Sequence, residues 1–219
     1  MTAISLRHRR SIRLQGYNYA QAGAYFITIC TQNRERFFGE IVGDEMELNN
    51  AGKMVLHWYA ELENKFSDIQ CDEFVCMPNH IHFIVVNVGN DINGAVNGVG
   101  ADLCVRPLLL GEHECLGRHV GTPLRSGEHV GSPLRTVVQW FKTMTTNAYI
   151  RGVKLQGWQR FDGKLWQRNY WEHVVRDESE LDRIRAYILN NPAQWESDKL
   201  CLRMSESRCS PLYGKGSQQ

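Results

Sequence analysis

The chain has 219 residues, 42% hydrophobic and 22% charged, the balance of a soluble globular protein long enough for one domain with a real core. No run approaches the roughly 18 consecutive apolar residues that a membrane helix needs, so no membrane partner is expected. A net charge of +1 does not mark a nucleic-acid binder, and seven cysteines, odd in number and without Cys-x-x-Cys spacing, fit free thiols in a reducing cytoplasm.

The opening residues carry Arg7, Arg9, Arg10 and Arg13 without the apolar run of a signal peptide. Residues 24–31 are dominated by aromatic and β-branched side chains and predict a strand, with residues 36–42 as its hairpin partner. Asn49 or Asn50 can start a helix whose Ala51, Val55, Tyr59, Leu62 and Phe66 recur at helical spacing. Residues 73–87 read as one strand with a local interruption at Pro78.

Within that strand stand His80 and His82, one residue apart, in the run Cys76-Met77-Pro78-Asn79-His80-Ile81-His82-Phe83-Ile84-Val85-Val86. Strand alternation sends both imidazoles to one face and Ile81 to the other. Side by side they can hold one metal ion; alternatively each is a core histidine with its own hydrogen bonds.

Residues 88–131 break the pattern. His119-Val120-Gly121-Thr122-Pro123-Leu124-Arg125 nearly repeats as His129-Val130-Gly131-Ser132-Pro133-Leu134-Arg135, which points to an expanded, flexible loop inserted in the domain. A second helix follows, with Ser132 as cap, Pro133 at its first position and Val137, Phe141, Met144 and Ala148 on its buried face. Residues 170–175 predict another strand.

The last helix opens at Asp177 with Glu180 three residues on, in the manner of a capping box, and Leu181, Ile184 and Ile188 form its stripe. Pro192 ends it. Tyr187 and Asn191, four apart, share a face, so an Asn amide oxygen can complete a site begun by the histidines, with a phenol beside it. Asn191 can equally be just the helix terminus, and Tyr187 just a cover for the core. Residues 201–219 read as a tail.

Charge is uneven along the chain. Up to Phe38 the only acidic residue is Glu35, and none occurs from His129 to Phe161; Arg9, Arg10, Arg13, Lys142, Arg151 and Lys154 of these stretches, with Arg168 beyond them, either contact phosphates from one basic face or are scattered solvated charges.

The run Pro78-Asn79-His80-Ile81-His82 resembles the His-hydrophobe-His (HUH) motif of single-strand DNA transposases. Residues 166–177 with Tyr187 and Asn191-Pro192 resemble the second half of the same family, and residues 13–31 its opening. By this resemblance, covering residues 13–90 and 133–196, the chain is similar to the REP-associated tyrosine transposases, close to insertion-sequence 200-like enzymes. It implies an α+β fold, a ferredoxin-like antiparallel sheet with packed helices (the HUH endonuclease fold), over residues 1–200. It implies a DNA transposase and endonuclease that nicks and rejoins single-stranded DNA near hairpins through a 5′-phosphotyrosine. Tyr187 would be catalytic, with His80, His82 and Asn191 as metal ligands. The ligand types alone suit Zn or Mn, whereas the family points to Mg or Mn, which a DNA phosphate would favour by adding hard oxygens. His173 is read as supporting the site. Expected partners are single-stranded and hairpin DNA and, in a homodimer, a second copy of the chain. The competing readings are a hairpin-binding descendant that no longer cuts and an unrelated metal-dependent hydrolase using His80, His82 and His173.

Overall fold

A computed structural model describes residues 18–89, 132–198 and 200–201. Arg9, Arg10, Arg13, nearly all of the expected insertion and the tail from 202 onward lie outside the described residues.

The elements in chain order are β1 (Gly23–Cys30), β2 (Gly39–Val42), β3 (Glu45–Leu48), α1 (Asn50–Lys65), β4 (Ile69–Cys76), β5 (His80–Asn87), α2 (Leu134–Gln156), β6 (Trp171–Val174) and α3 (Glu178–Asn190). A 3₁₀ turn, Pro192–Ser197, follows. The main sheet runs β4-β5-β1-β6 with every pair antiparallel. Setting aside the β2-β3 ribbon, the path β1-α1-β4-β5-α2-β6 in that spatial order is the ferredoxin-like arrangement, so the expected α+β class holds.

Alternation divides the sheet cleanly. Tyr25, Ile27 and Ile29 of β1 join Ile81, Phe83 and Val85 of β5 in the large core closed by α1 and α2. Ala24, Phe26, Ile84 and Val86 face the other way, beneath Leu181 and Ile188 of α3. Every residue of β5 is buried because both its faces are covered, which explains its nearly continuous apolar reading. Asn49 caps α1 by accepting from the Gly52 amide at 2.9 Å. Gly52 is required there, since a Cβ would collide with the Phe38 carbonyl.

Four expectations need correction. Residues 39–42 pair with β3 in a separate ribbon rather than with β1, because both edges of β1 are taken by β5 and β6. Residues 73–87 are not one strand: β4 and β5 pair as a hairpin, with Pro78 in the turn between them. Pro133, not Ser132, stands at the cap of α2; Ser132 instead binds the Asp68 carboxylate through its amide and, at 2.8 Å, its hydroxyl. The buried stripe of α2 passes through Val137, Phe141, Thr145 and Tyr149, leaving Met144 and Ala148 half-buried.

Candidate functional site

His80 and His82 enter β5 from the turn at Pro78 and point to the α3 face, opposite Cys30 and Thr28 of β1. Their rings lie 4.6 Å apart. Each ring is fixed through Nδ1: His82 to the Thr28 hydroxyl at 2.7 Å, His80 to Asn79 Oδ1 at 2.8 Å. The Asn79 amide nitrogen donates to the carbonyls of Leu200 at 2.8 Å and Arg34 at 3.3 Å, which sets its oxygen toward His80. An amide oxygen only accepts, so the proton sits on His80 Nδ1 and Nε2 offers a lone pair. Burial drives the His82 pKa down to about 3. Burial, with the neighbouring His82 and Arg34, also holds His80 well below the usual imidazole range. Both rings are therefore neutral at physiological pH, the form that ligates metals.

The opposing wall is α3. Asp177 caps it by accepting from the Glu180 amide, while Glu180 reaches back to the Arg176 amide, each at 2.8 Å, so the box closes one residue earlier than its usual form. Leu181 and Ile188 seat the helix on the sheet, and Arg185 anchors it by a fork to the buried Asp72 of β4 at 2.6 and 2.9 Å. This seating puts Tyr187 Oη 3.4 Å from His82 Nε2, with Phe26 edge-on to the phenol ring. Tyr187 remains 39% exposed, so a solute can reach its hydroxyl. Partial burial and the Asp198 carboxylate raise its pKa, against a lowering hydrogen bond from Asn191.

Asn191 is buried one turn beyond Tyr187. The 3₁₀ turn then folds the chain back, with Trp195 stacked 6.0 Å from His80, and delivers Asp198. Asp198 Oδ2 ends 3.6 Å from His80 Nε2. That approach is no ion pair, because the ring is neutral and its proton points to Asn79. His80 Nε2, Asn191 Oδ1 and Asp198 Oδ2 are all buried without a hydrogen-bond partner. Unpartnered acceptors crowded in a dry place cost several kcal/mol together, of order 1–3 each, and a cation among them removes the cost. Ligand atoms of His80, His82 and Asp198 lie within 4.8 Å of one another, and two imidazoles, a carboxylate and an amide oxygen suit a divalent ion.

The structure thus brings His80, His82, Tyr187 and Asn191 together, as the sequence led us to expect, and adds Asp198, which it did not. An aspartate in a polar stretch has no periodicity; the available signal was Trp195, an aromatic anchor just after Pro192. Lys142 donates to the carbonyls of Gln167 at 2.6 Å and Arg168 at 3.2 Å, and burial lowers its pKa to about 8, so it ties α2 to the approach to β6. Arg151 and Lys154 are exposed on α2, in the layer opposite Tyr187, and Arg168 is exposed before β6. Tyr149 is buried and donates to the Gln159 carbonyl, and Trp166 is core, donating to Thr145. His173 pairs with Glu180 at 2.9 Å and stands apart from the cluster of ligand atoms. Beside Tyr187 opens a cleft of about 1070 Å³ whose walls include His82, Trp171, His173, Arg183 and Asp198.

No family model matches the chain. Among solved structures, it is similar to a REP-associated tyrosine transposase bound to a REP hairpin, with TM-score 0.47, 15% identity, and 83% of this chain and 73% of that one covered. It is 38% identical over 195 residues to an uncharacterized protein of Haemophilus influenzae, covering 89% of this chain and 94% of that protein. At that identity and coverage, the chain belongs to the family of the Haemophilus influenzae protein.

Proposed function

We propose that the protein is a metal-dependent, HUH-type tyrosine transposase that nicks and rejoins single-stranded DNA near hairpins. The observation that carries this reading is the 3.4 Å approach of the Tyr187 hydroxyl to His82, beside buried ligand atoms that lack partners. His80, His82 and Asp198, with Asn191, would hold a divalent ion such as Mg or Mn. When bound, the ion supplies positive charge that favours the phenolate and withdraws charge from a phosphate oxygen.

The chain's own groups do the rest. Tyr187 Oη attacks the scissile phosphorus, the P–O3′ bond breaks, and the 3′ oxygen leaves and takes up a proton as the phenol loses its own. The products are a 5′-phosphotyrosine and a free 3′-hydroxyl. Because the phosphodiester energy is kept in that linkage, a 3′-hydroxyl attacking it rejoins DNA and restores the phenol. Asn191, one turn beyond Tyr187, opposes the raised pKa of its phenol. α3, pinned by Arg185 and Asp72, holds the nucleophile in place, and positioning of this kind supplies several kcal/mol.

Isolation of a DNA-linked peptide after incubation with hairpin-bearing single strands and Mn tests the reading. The expected adduct is on Tyr187, absent with chelator and in Tyr187→Phe. Hairpin binding without any adduct would leave a DNA-binding protein that does not cut. An adduct undiminished in Tyr187→Phe would remove this tyrosine from the chemistry.

A further inference from the structure

We infer that the cleft beside Tyr187 seats an unpaired nucleobase of the DNA strand, stacked on the indole of Trp171. The inference rests on the proposed function and gives its substrate a binding position. Trp171, Thr28 and His82 are register partners across β6, β1 and β5, so they stand in one row on the same face. Two strand spacings, about 10 Å, separate the indole from the histidine, close enough for one strand to meet both. At about 1070 Å³, the cleft between them is as large as small-molecule sites become.

Trp171 is 44% exposed, yet it is held rather than loose. Its ring lies parallel to His173, 6° apart in plane with centroids 5.8 Å apart, and Phe26 meets it edge-on at 5.6 Å. His173 is in turn braced by Glu180 of the tyrosine helix at 2.9 Å. A large aromatic surface left in water but locked in orientation is a poor use of an indole for the core. It suits a flat ligand, because every base has a π-face and stacking needs no particular sequence. The exposed Arg183 on the cleft wall adds positive charge for the phosphate attached to such a base.

The test is a cycle that removes the indole and the bases separately, in the full chain with chelator present so that no strand is cut. Affinities for a twelve-nucleotide oligothymidine and for an abasic strand of the same length are measured by fluorescence anisotropy. The wild type is expected to prefer the base-bearing strand by about tenfold or more, from stacking. Trp171→Ala should lose most of that preference while binding the abasic strand unchanged, and Trp171→Phe should keep part of it. A preference that Trp171→Ala leaves intact, or none in the wild type, overturns the inference. Normal melting of Trp171→Ala checks that it folds. If the Tyr187 adduct forms but the preference does not depend on Trp171, the cleft reading alone falls. If the preference depends on Trp171 but no adduct forms, the covalent chemistry alone falls.

Discussion

Replacing Asp198 by Asn tests the cation site without relying on turnover. In the metal-free protein, His80 Nε2 and Asp198 Oδ2 face each other at 3.6 Å, buried and unpartnered. Asp198→Asn keeps the shape but puts an NH₂ donor within reach of the lone pair. One hydrogen bond made and one orphaned pair relieved should return about 1–2 kcal/mol. In a chain of this size that raises Tm by about 2–8 °C in chelator. With metal the order reverses. A divalent ion at a hundred times its Kd stabilises the wild type by about 2.7 kcal/mol, or roughly 5–11 °C, while the variant, lacking the carboxylate, should gain little. Scanning calorimetry in EDTA and across an Mn titration reads both effects. An Asn variant less stable than wild type in EDTA would refute the facing lone pairs. An undiminished Mn shift in that variant would show that Asp198 is no ligand.

Asn79→Ala removes the acceptor that fixes the His80 tautomer and should weaken Mn binding about 10- to 100-fold by calorimetric titration. Asp72→Ala strips the fork from a guanidinium that is only 7% exposed, while Glu178 and Asp182 at 3.2 Å stay among its partners. The expected loss is about 3 kcal/mol, or roughly 6–12 °C in Tm, with the Tyr187 adduct yield falling as α3 loosens. The buried histidines give a sign for pH in chelator. Their folded pKa values lie below the unfolded value of about 6.5, so the unfolded chain binds protons first. Stability should hold above pH 6.5 and then fall toward the His82 pKa of about 3, by at most about 1.4 kcal/mol per pH unit for each ring. Melting between pH 8 and 5 should show a shallower fall in His82→Gln.

Local patterns in the sequence foretold the elements that make the site, while its closure depended on contacts that no local pattern encodes. Period-two alternation put both histidines on one face, and period 3.6 put Tyr187 and Asn191 on one side of α3; the structure keeps both assignments. Residues 39–42 misled because a short amphipathic strand pairs with whichever edge is vacant, and edge vacancy is a property of the whole sheet. The β4-β5 hairpin reads as one strand because Phe74, Val75 and Cys76 run toward an apolar β5 and the intervening turn spans only Met77, Pro78 and Asn79. Lys142 illustrates the same limit for charge: its place in a basic stretch said nothing of the two carbonyls that occupy it.

The two faces of the sheet bear different burdens. α1 and α2 seal one face into a large core of Tyr, Phe and aliphatic side chains. Among the described residues, the other face carries α3 over a smaller patch, with the cleft beside Tyr187 running from the buried His82 to the exposed Trp171. A second helix on that face would strengthen the core but bury the Tyr187 hydroxyl. With less apolar contact to hold it, α3 depends on the buried Asp72–Arg185 fork, and Asp72 sits where the β4-β5 register shifts between Cys71 and Phe74. Tyr59 of α1 secures that irregular backbone by accepting from the Asp72 amide at 3.1 Å and donating to the Ile84 carbonyl at 2.6 Å. The well-packed layer thus fixes, through the edge strand, the helix that carries the nucleophile on the open one.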